Sequence, residues 1–468
     1  MPEWILKEIA AAFKAEPHGD ATRLVTGVNF DSRKLTQGQM FVAVKTTTND
    51  GHDYVVNAAE KGMSGAIVSD EAFNANRDIW TELPLISVPD PVIALGAWAS
   101  WHRQQNDIPV VAITGSNGKT TVKELIAAVL GQKFETLKTA ANFNNHLGVP
   151  MTLLEIGAKH DMAVVEIGMN HPGEIGQLAK IARPTIGVIT NAGQAHMEAF
   201  PSKDTLIDAK WELSEELTGE RLLIINKDDD GLRQRQERHN GPLLSYSVDS
   251  SDSDYQAVSL SKNDSDRWSF SVCGQRFVMA IPGRHTVSNA LAAIAVADRL
   301  GVSFGESAQA LASAQGPAMR MRTETLGGVT IINDAYNANP GSMRAALNSL
   351  SAVAADEPDR RSIAVLGGML ELGAEGDALH RETGALAASL GVTLVTVGPL
   401  GTLIAQGALD SGSDADQIFV YSTHDEAAKW LASETSSGDA VLIKGSRGAR
   451  METVLERWRQ LTASSVAA

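Results

Sequence analysis

Cysteine is nearly missing from this chain: Cys273 is the only one among 468 residues. A single thiol cannot build a disulfide framework, and its scarcity fits a reducing compartment. It stands in Ser271-Val272-Cys273-Gly274, a strand running into a turn with no activating partner in sequence, so a buried structural thiol is expected rather than a nucleophile. Positive charge is also in short supply, with 40 Lys and Arg against 56 Asp and Glu and a net charge of −16. That balance excludes a nucleic-acid binder, which needs a basic footprint along phosphates. It leaves room for a nucleotide, which needs only one local cluster of donors. Long apolar runs are absent too: nothing approaches the ~18 residues of a membrane span, so no membrane insertion is expected. The opening residues Met1-Pro2-Glu3-Trp4-Ile5-Leu6-Lys7-Glu8-Ile9 read as an amphipathic helix with acids, not as a basic segment followed by an apolar one. No signal peptide is expected, and the protein should be soluble and cytoplasmic.

What the chain does contain is ordinary globular material, 43% hydrophobic and 21% charged. Its length suggests roughly three domains, and the pattern divides it at 1–105, 106–315 and 316–468. In the first part Val25-Thr26-Gly27-Val28, Met40-Phe41-Val42-Ala43-Val44 and Ala66-Ile67-Val68-Ser69 read as strands, with a helical segment over 54–61. The polar run Arg103-Gln104-Gln105-Asn106-Asp107 reads as a linker. The second part begins with the buried-type strand Val110-Val111-Ala112-Ile113. Similar short runs follow at Ala163-Val164-Val165, Ile186-Gly187-Val188-Ile189 and Leu222-Leu223-Ile224-Ile225. Helical patterns separate them, the signature of a parallel sheet with crossover helices. Gly316-Pro317 breaks the rhythm and is the expected hinge. The last part repeats it at Val329-Thr330-Ile331-Ile332, Ile363-Ala364-Val365-Leu366, Leu394-Val395-Thr396-Val397 and Val441-Leu442-Ile443.

The strongest chemical signal is Thr114-Gly115-Ser116-Asn117-Gly118-Lys119-Thr120-Thr121, between a buried strand and a helical run. Its glycines let backbone N–H groups curl around phosphate oxygens at a helix N-terminus. Lys119 is placed for the β- and γ-phosphates and the Thr120 hydroxyl for Mg²⁺. The strict P-loop pattern wants glycine six residues before the lysine and finds Ile113, so this is a shorter variant. Glu166 ends a neighbouring strand, where a nucleotide hydrolase would carry an aspartate, and is a candidate metal ligand. Thr190-Asn191-Ala192-Gly193 ends the next, with His196 just beyond. Lone histidines are more often structural than ligating. Lys210, in Asp208-Ala209-Lys210-Trp211-Glu212, reads by itself as a lysine on a solvated helix face.

Together these motifs resemble the Mur ligase family, the ATP-dependent enzymes that build the peptide of bacterial cell-wall precursors. The compact 114–120 loop matches that family's P-loop. Asp31-Ser32-Arg33 with Asp50-Gly51-His52 resembles its N-terminal UDP-binding domain. Asn142-Phe143-Asn144-Asn145-His146-Leu147-Gly148-Val149-Pro150 resembles the Asn-rich loop facing the muramoyl substrate. Asp334-Ala335-Tyr336-Asn337-Ala338-Asn339-Pro340 and Leu366-Gly367-Gly368-Met369-Leu370-Glu371-Leu372-Gly373 narrow the likeness to the last cytoplasmic ligation. Lys444-Gly445-Ser446-Arg447 resembles the family's C-terminal Lys-Gly-Ser motif. Met319 stands before Arg320 where the family usually has glycine, and Thr286 stands where it usually has asparagine.

The resemblance implies three α/β domains: a central P-loop parallel-sheet ATPase, an N-terminal UDP-binding domain and a C-terminal Rossmann-like domain. It implies ATP and two Mg²⁺ ions, with UDP-N-acetylmuramoyl-tripeptide and D-alanyl-D-alanine as small-molecule substrates, and a monomer is expected. Lys119, Lys210 and His196 would be catalytic. The 115–121 loop (Gly115, Ser116, Asn117, Gly118, Lys119, Thr120, Thr121), Asn289, Arg320, Asp334 and Asn337 would hold the nucleotide. Ser32, Arg33, Asp50, His52, Asn142 and Asn145 would hold the UDP substrate. Thr120, Glu166, His196 and a carbamylated Lys210 would ligate the metals. The reaction implied is phosphorylation of a carboxylate by ATP followed by attack of an amine. The alternatives are a folylpolyglutamate synthase-like ligase, which lacks such an N-terminal unit, and a regulatory P-loop NTPase, which would need a switch element and a Walker-B aspartate.

Overall fold

The computed structural model describes residues 2–193, 197–263, 267–355 and 360–466, and its architecture is α/β throughout. At its centre a seven-stranded sheet runs in the order Tyr255–Gln256, Leu243–Ser247, Leu222–Asn226, Ile186–Ile189, Val110–Thr114, Met162–Glu166, Thr136–Lys138, and every adjacent pair is parallel. The short apolar runs form this sheet because both its faces are covered. Side chains alternate at period two. Val110, Ala112, Ala163 and Val165 enter one core, while Val111, Ile113, Met162 and Val164 enter the other.

The C-terminal part forms a six-stranded sheet of Arg322–Leu326, Val329–Asp334, Ala440–Lys444, Ser362–Gly367, Thr393–Val397 and Ile418–Tyr421. Only the first strand of that order is antiparallel. The N-terminal part carries a five-stranded sheet ordered Pro17–His18, Leu85–Val88, Gly65–Ser69, Met40–Val42, Val28–Asn29. A three-stranded antiparallel sheet, Val258–Lys262, Trp268–Val272 and Gln275–Val278, completes the middle.

Four local readings are corrected by the structure. Cys273 is exposed, not buried. It and Gly274, at φ of +49° and +79°, form the two-residue turn joining Trp268–Val272 to Gln275–Val278, and such a turn points its side chains outward. The first helix begins only at Leu6, because Trp4–Ile5 pairs as a ribbon with Leu24–Val25. Gly27, at φ +156°, splits the expected 25–28 strand, so Leu24–Val25 and Val28–Asn29 join different sheets. Arg103 is no loose linker residue. Buried at the end of helix Pro91–Gln104, it donates to the carbonyl oxygens of Ala182 at 3.1 Å and Ile108 at 2.9 Å. That helix also packs on Gly148–Leu154 and Glu174–Ala182, so one apolar core runs from Trp4 through Leu95 and Trp98 into the central sheet.

Candidate active site

Parallel sheets place ligands beyond the carboxyl ends of their strands, where the winding reverses. Val110–Thr114 is that place here: the chain leaves it for the edge strand Thr136–Lys138, then returns to Met162–Glu166 on one side and Ile186–Ile189 on the other. The 115–121 loop follows it and enters helix Lys119–Leu130. Two glycines are required by geometry. At Gly115, φ +148°, a Cβ would lie 2.0 Å from the Thr190 hydroxyl; at Gly118, φ +81°, it would lie 2.6 Å from Asn289 Oδ1. The loop is clamped to the next strand end. Asn117 N–H donates to Asn191 Oδ1 at 2.9 Å, Thr190 Oγ1 donates to Asn117 O at 2.6 Å, and Ser116 Oγ donates to Gly193 O at 2.6 Å. The Lys119 ammonium donates to Gly115 O at 2.5 Å. Burial holds its pKa below the ordinary lysine range, with Glu166 opposing the shift and Arg320 adding to it.

Glu166 ends its strand 2% exposed. Asn144 Nδ2 donates to its Oε1 at 2.8 Å, while its Oε2 is buried without a partner among the described residues. A bare carboxylate oxygen beside a phosphate cradle fits a hard divalent cation. Among the described residues no three His, Cys, Asp or Glu side chains converge on a ready-made metal site. Mg²⁺ uses one or two protein oxygens and takes the rest of its shell from phosphates and water. Thr120, 8% exposed, stands at the start of the helix, where its hydroxyl could be a second donor.

Lys210 departs from its reading as a solvated helix residue. It is 1% exposed on helix Lys203–Glu215, lines the same cavity as Lys119 and Glu166, and has no hydrogen-bond or ion-pair partner among the described residues. Desolvation, then the charge of Lys119, drives its pKa well below the ordinary range against the pull of Asp229. Its helix is pinned by Glu212, whose carboxylate accepts the N–H groups of Gly173 at 2.7 Å and Gly176 at 2.9 Å. His196 lies outside the described residues.

The facing wall comes from the C-terminal sheet, whose strands end at Asp334 and Lys444 in register. These two form a buried ion pair, and Lys444 Nζ also donates to Asn337 O at 3.0 Å. Asp334 Oδ1 accepts Met321 N–H at 3.0 Å, and the Arg320 guanidinium lies 4.2 Å from the Tyr336 ring centroid. Met319 takes φ +55°, a left-handed conformation that glycine would adopt without strain. The two walls touch: Asn339 Nδ2 donates to Asn117 Oδ1 at 2.7 Å, and Glu198 N–H to Glu371 O at 3.4 Å. They enclose a cavity of about 740 Å³. It is lined by the 115–121 loop, Glu166, Lys210, Asn142 and Asn145, and by Asn289, Arg320, Asp334 and Asn337. Asn145 Oδ1 accepts the N–H groups of Leu147 and Gly148, starting the helix Gly148–Leu154.

Ser32, Arg33, Asp50 and His52 do not line this cavity. Arg33 makes a two-pronged bond to Asp31, at 2.8 and 3.0 Å, with its side chain largely exposed. His52 is committed internally: Nε2 accepts Ser69 N–H at 3.0 Å, so the proton sits on Nδ1, 2.6 Å from Asp50 Oδ1. It holds a turn rather than presenting a free imidazole. Ser32 is buried, its carbonyl oxygen held by Lys61 at 2.7 Å. Sequence reading missed Thr190, Asn191 and Asn339 as parts of the phosphate-loop clamp. The first two stood at a strand end beside the loop, the one signal available.

Comparison with known proteins agrees with this geometry. The Mur ligase family catalytic domain matches residues 24–102, the Mur ligase middle domain 113–297, and the Mur ligase glutamate ligase domain 319–447. The UDP-N-acetylmuramoyl-tripeptide–D-alanyl-D-alanine ligase of Bacillus subtilis (strain 168) is 34% identical, covering 96% of this chain and 97% of that protein. That of Escherichia coli (strain K12) is 35% identical over 92% of each. A crystal structure of MurF from Acinetobacter baumannii superposes with a TM-score of 0.88 at 30% identity, covering 98% of this chain and 99% of that one. MurF ligase from Thermotoga maritima in complex with ADP gives 0.81 at 26% identity, covering 94% of this chain and 99% of that one. With matches in this order over nearly its whole length, the chain belongs to the Mur ligase family.

Proposed function

We propose that the chain is an ATP-dependent ligase that joins D-alanyl-D-alanine to the terminal carboxylate of UDP-N-acetylmuramoyl-tripeptide, releasing ADP and phosphate, in peptidoglycan precursor synthesis. The observation that carries this reading is the cavity between two sheet edges. One wall holds a phosphate loop with its lysine and a buried acid with a bare oxygen; the other holds the Asp334–Lys444 pair. The named relatives along the full chain, one of them solved with ADP, support the same activity.

A carboxylate is a poor acyl donor, so it first attacks the γ-phosphorus of ATP, giving an acyl phosphate and ADP. The dipeptide amine then attacks the acyl carbon, and the tetrahedral adduct expels phosphate as the amide forms. The N–H groups at the start of helix Lys119–Leu130 serve the phosphates, and Lys119 follows the charge as it moves toward the leaving oxygen. Asn289, packed against Gly118, and Arg320, Asp334 and Asn337 complete the nucleotide's surroundings. Glu166, the Thr120 hydroxyl, His196 and Lys210 as its carbamate would hold two Mg²⁺ ions, which when bound neutralise the charge gathered as two anions meet. Asn142 and Asn145 face the muramoyl tripeptide. Arg33, exposed, meets the UDP phosphates, with Ser32, Asp50 and His52 shaping that site. The working units are 1–105 for UDP, 106–315 for ATP and 316–468 for closing the cavity, with 316–317 as hinge. Two walls that meet shield an acyl phosphate from water. Among the described residues no helix is long and apolar enough to cross a membrane. We read the enzyme as a cytoplasmic monomer.

The experiment is product analysis with each co-substrate withheld in turn. ADP, phosphate and the ligated pentapeptide should appear in equal amounts, and only when tripeptide and dipeptide are both present. Phosphate release without either would favour a regulatory NTPase. Ligation of glutamate to a folate in their place would favour the folylpolyglutamate-type enzyme.

A further inference from the structure

Lys123 is buried on the phosphate-loop helix, one turn beyond Lys119, and no step above uses it. Its ammonium donates to the Thr139 carbonyl oxygen at 2.7 Å and lies 3.0 Å from Glu124. Thr139 is itself fully buried. Its N–H donates to Val164 O at 3.0 Å, and its hydroxyl oxygen accepts Glu166 N–H at 3.0 Å. Beyond Glu166 the chain of bonds continues: Asn144 donates to the carboxylate, and Asn144 O accepts Gly168 N–H at 2.8 Å. An ammonium is costly to bury, and a methionine could fill the same path through the core without that cost. Its use here calls for a reason beyond packing.

We propose that Lys123 and Thr139 are positioning residues for Glu166. Lys123 holds the Thr139 carbonyl, Thr139 holds the peptide nitrogen of Glu166, and the carboxylate is thereby set with one oxygen on Asn144 and the other unpartnered among the described residues, in the cavity that the phosphate loop also lines. The same bonds join the phosphate-loop helix to the Asn-rich loop over 142–145, so the nucleotide and muramoyl sides share one support. This rests on the reading of Glu166 as a metal carboxylate.

The test is a titration of the full-length protein with Mn²⁺ in the presence of ADP, following free Mn²⁺ by electron paramagnetic resonance. Thr139→Val removes the hydroxyl at nearly constant volume and should weaken Mn²⁺ binding about tenfold or more, the usual effect of losing an outer-shell partner. ADP binding without metal should change less than about twofold, since the phosphate loop keeps its clamps. Thr139→Ser restores the acceptor and should recover most of the affinity. Lys123→Met should weaken Mn²⁺ binding in the same direction, and it decides the matter if Thr139→Val does not fold. A merely structural role predicts a lower melting temperature with Mn²⁺ affinity untouched, and that result overturns the proposal, as does Thr139→Ser behaving like Thr139→Val. Glu166→Gln separates the two ideas. Unchanged Mn²⁺ binding in that variant overturns the metal-ligand reading itself; loss there, with normal binding in Thr139→Val and Lys123→Met, overturns only the positioning.

Discussion

Lys119→Ala should leave a folded protein that turns over on the order of 10³-fold more slowly at saturating ATP, the scale of losing a charge donor aimed at a transition state. The lysine is a point charge seated on the loop's own carbonyls, beside Gly115 O, where no other cation of the 115–121 segment can replace it. Because the loop's N–H groups remain, nucleotide binding should weaken far less than turnover. Stability should hold, since burial already depresses the lysine's pKa and, among the described residues, no carboxylate pairs with it. Steady-state kinetics with a melting curve checks both halves. Near-normal turnover by the variant would remove the phosphate loop from the chemistry.

Lys210→Ala should lose activity on a similar scale, on the order of 10³-fold, because a metal-side anion supports several kcal/mol of charge neutralisation. As an ammonium, Lys210 makes no sense here: it is buried, unpartnered among the described residues, and repelled by Lys119. The same surroundings favour its neutral amine, whose nitrogen can attack CO₂ and lose a proton to give a carbamate. That carbamate would be an anion in the cavity that Glu166 also lines. Acetate or formate added to the alanine variant should therefore restore part of the activity by filling the space with a carboxylate. Native enzyme equilibrated with ¹³C-bicarbonate should show a carbamate carbon resonance that the variant lacks. A lysine acting as a plain phosphate contact predicts neither rescue nor signal.

Much of this was legible before any coordinates. The central sheet could be read because a strand buried on both faces must be apolar at every position, as Val110-Val111-Ala112-Ile113 is, and the helical runs between such strands force parallel pairing. The phosphate loop could be read because its glycines and lysine answer to local geometry alone. Burial decided by distant parts of the chain could not. Lys210 has the look of a surface lysine until helix Lys203–Glu215 is laid against the central sheet, and Lys123 hides in an amphipathic helix in the same way. Cys273 goes in the opposite direction: a thiol with no activating partner in sequence reads as buried and structural, whereas the turn's left-handed backbone turns it outward. The bond between Asn117 and Asn339 spans 222 positions, a separation at which sequence pattern carries no distance. His52 shows a further limit. Its motif marked it as important, but only the bonds to Asp50 and Ser69 show that both ring nitrogens are already spoken for.

The central claim is that this cavity activates a carboxylate by phosphorylating it before the amine arrives, and oxygen labelling reads that step directly. UDP-muramoyl-tripeptide carrying ¹⁸O in its terminal carboxylate is incubated with enzyme, ATP and D-alanyl-D-alanine, and the released phosphate is weighed by mass spectrometry. In an acyl phosphate the bridging oxygen comes from the carboxylate and leaves with phosphorus, so each phosphate released should carry one ¹⁸O and the nucleotide product should be ADP. Unlabelled phosphate, or AMP and pyrophosphate in place of ADP, would contradict the account.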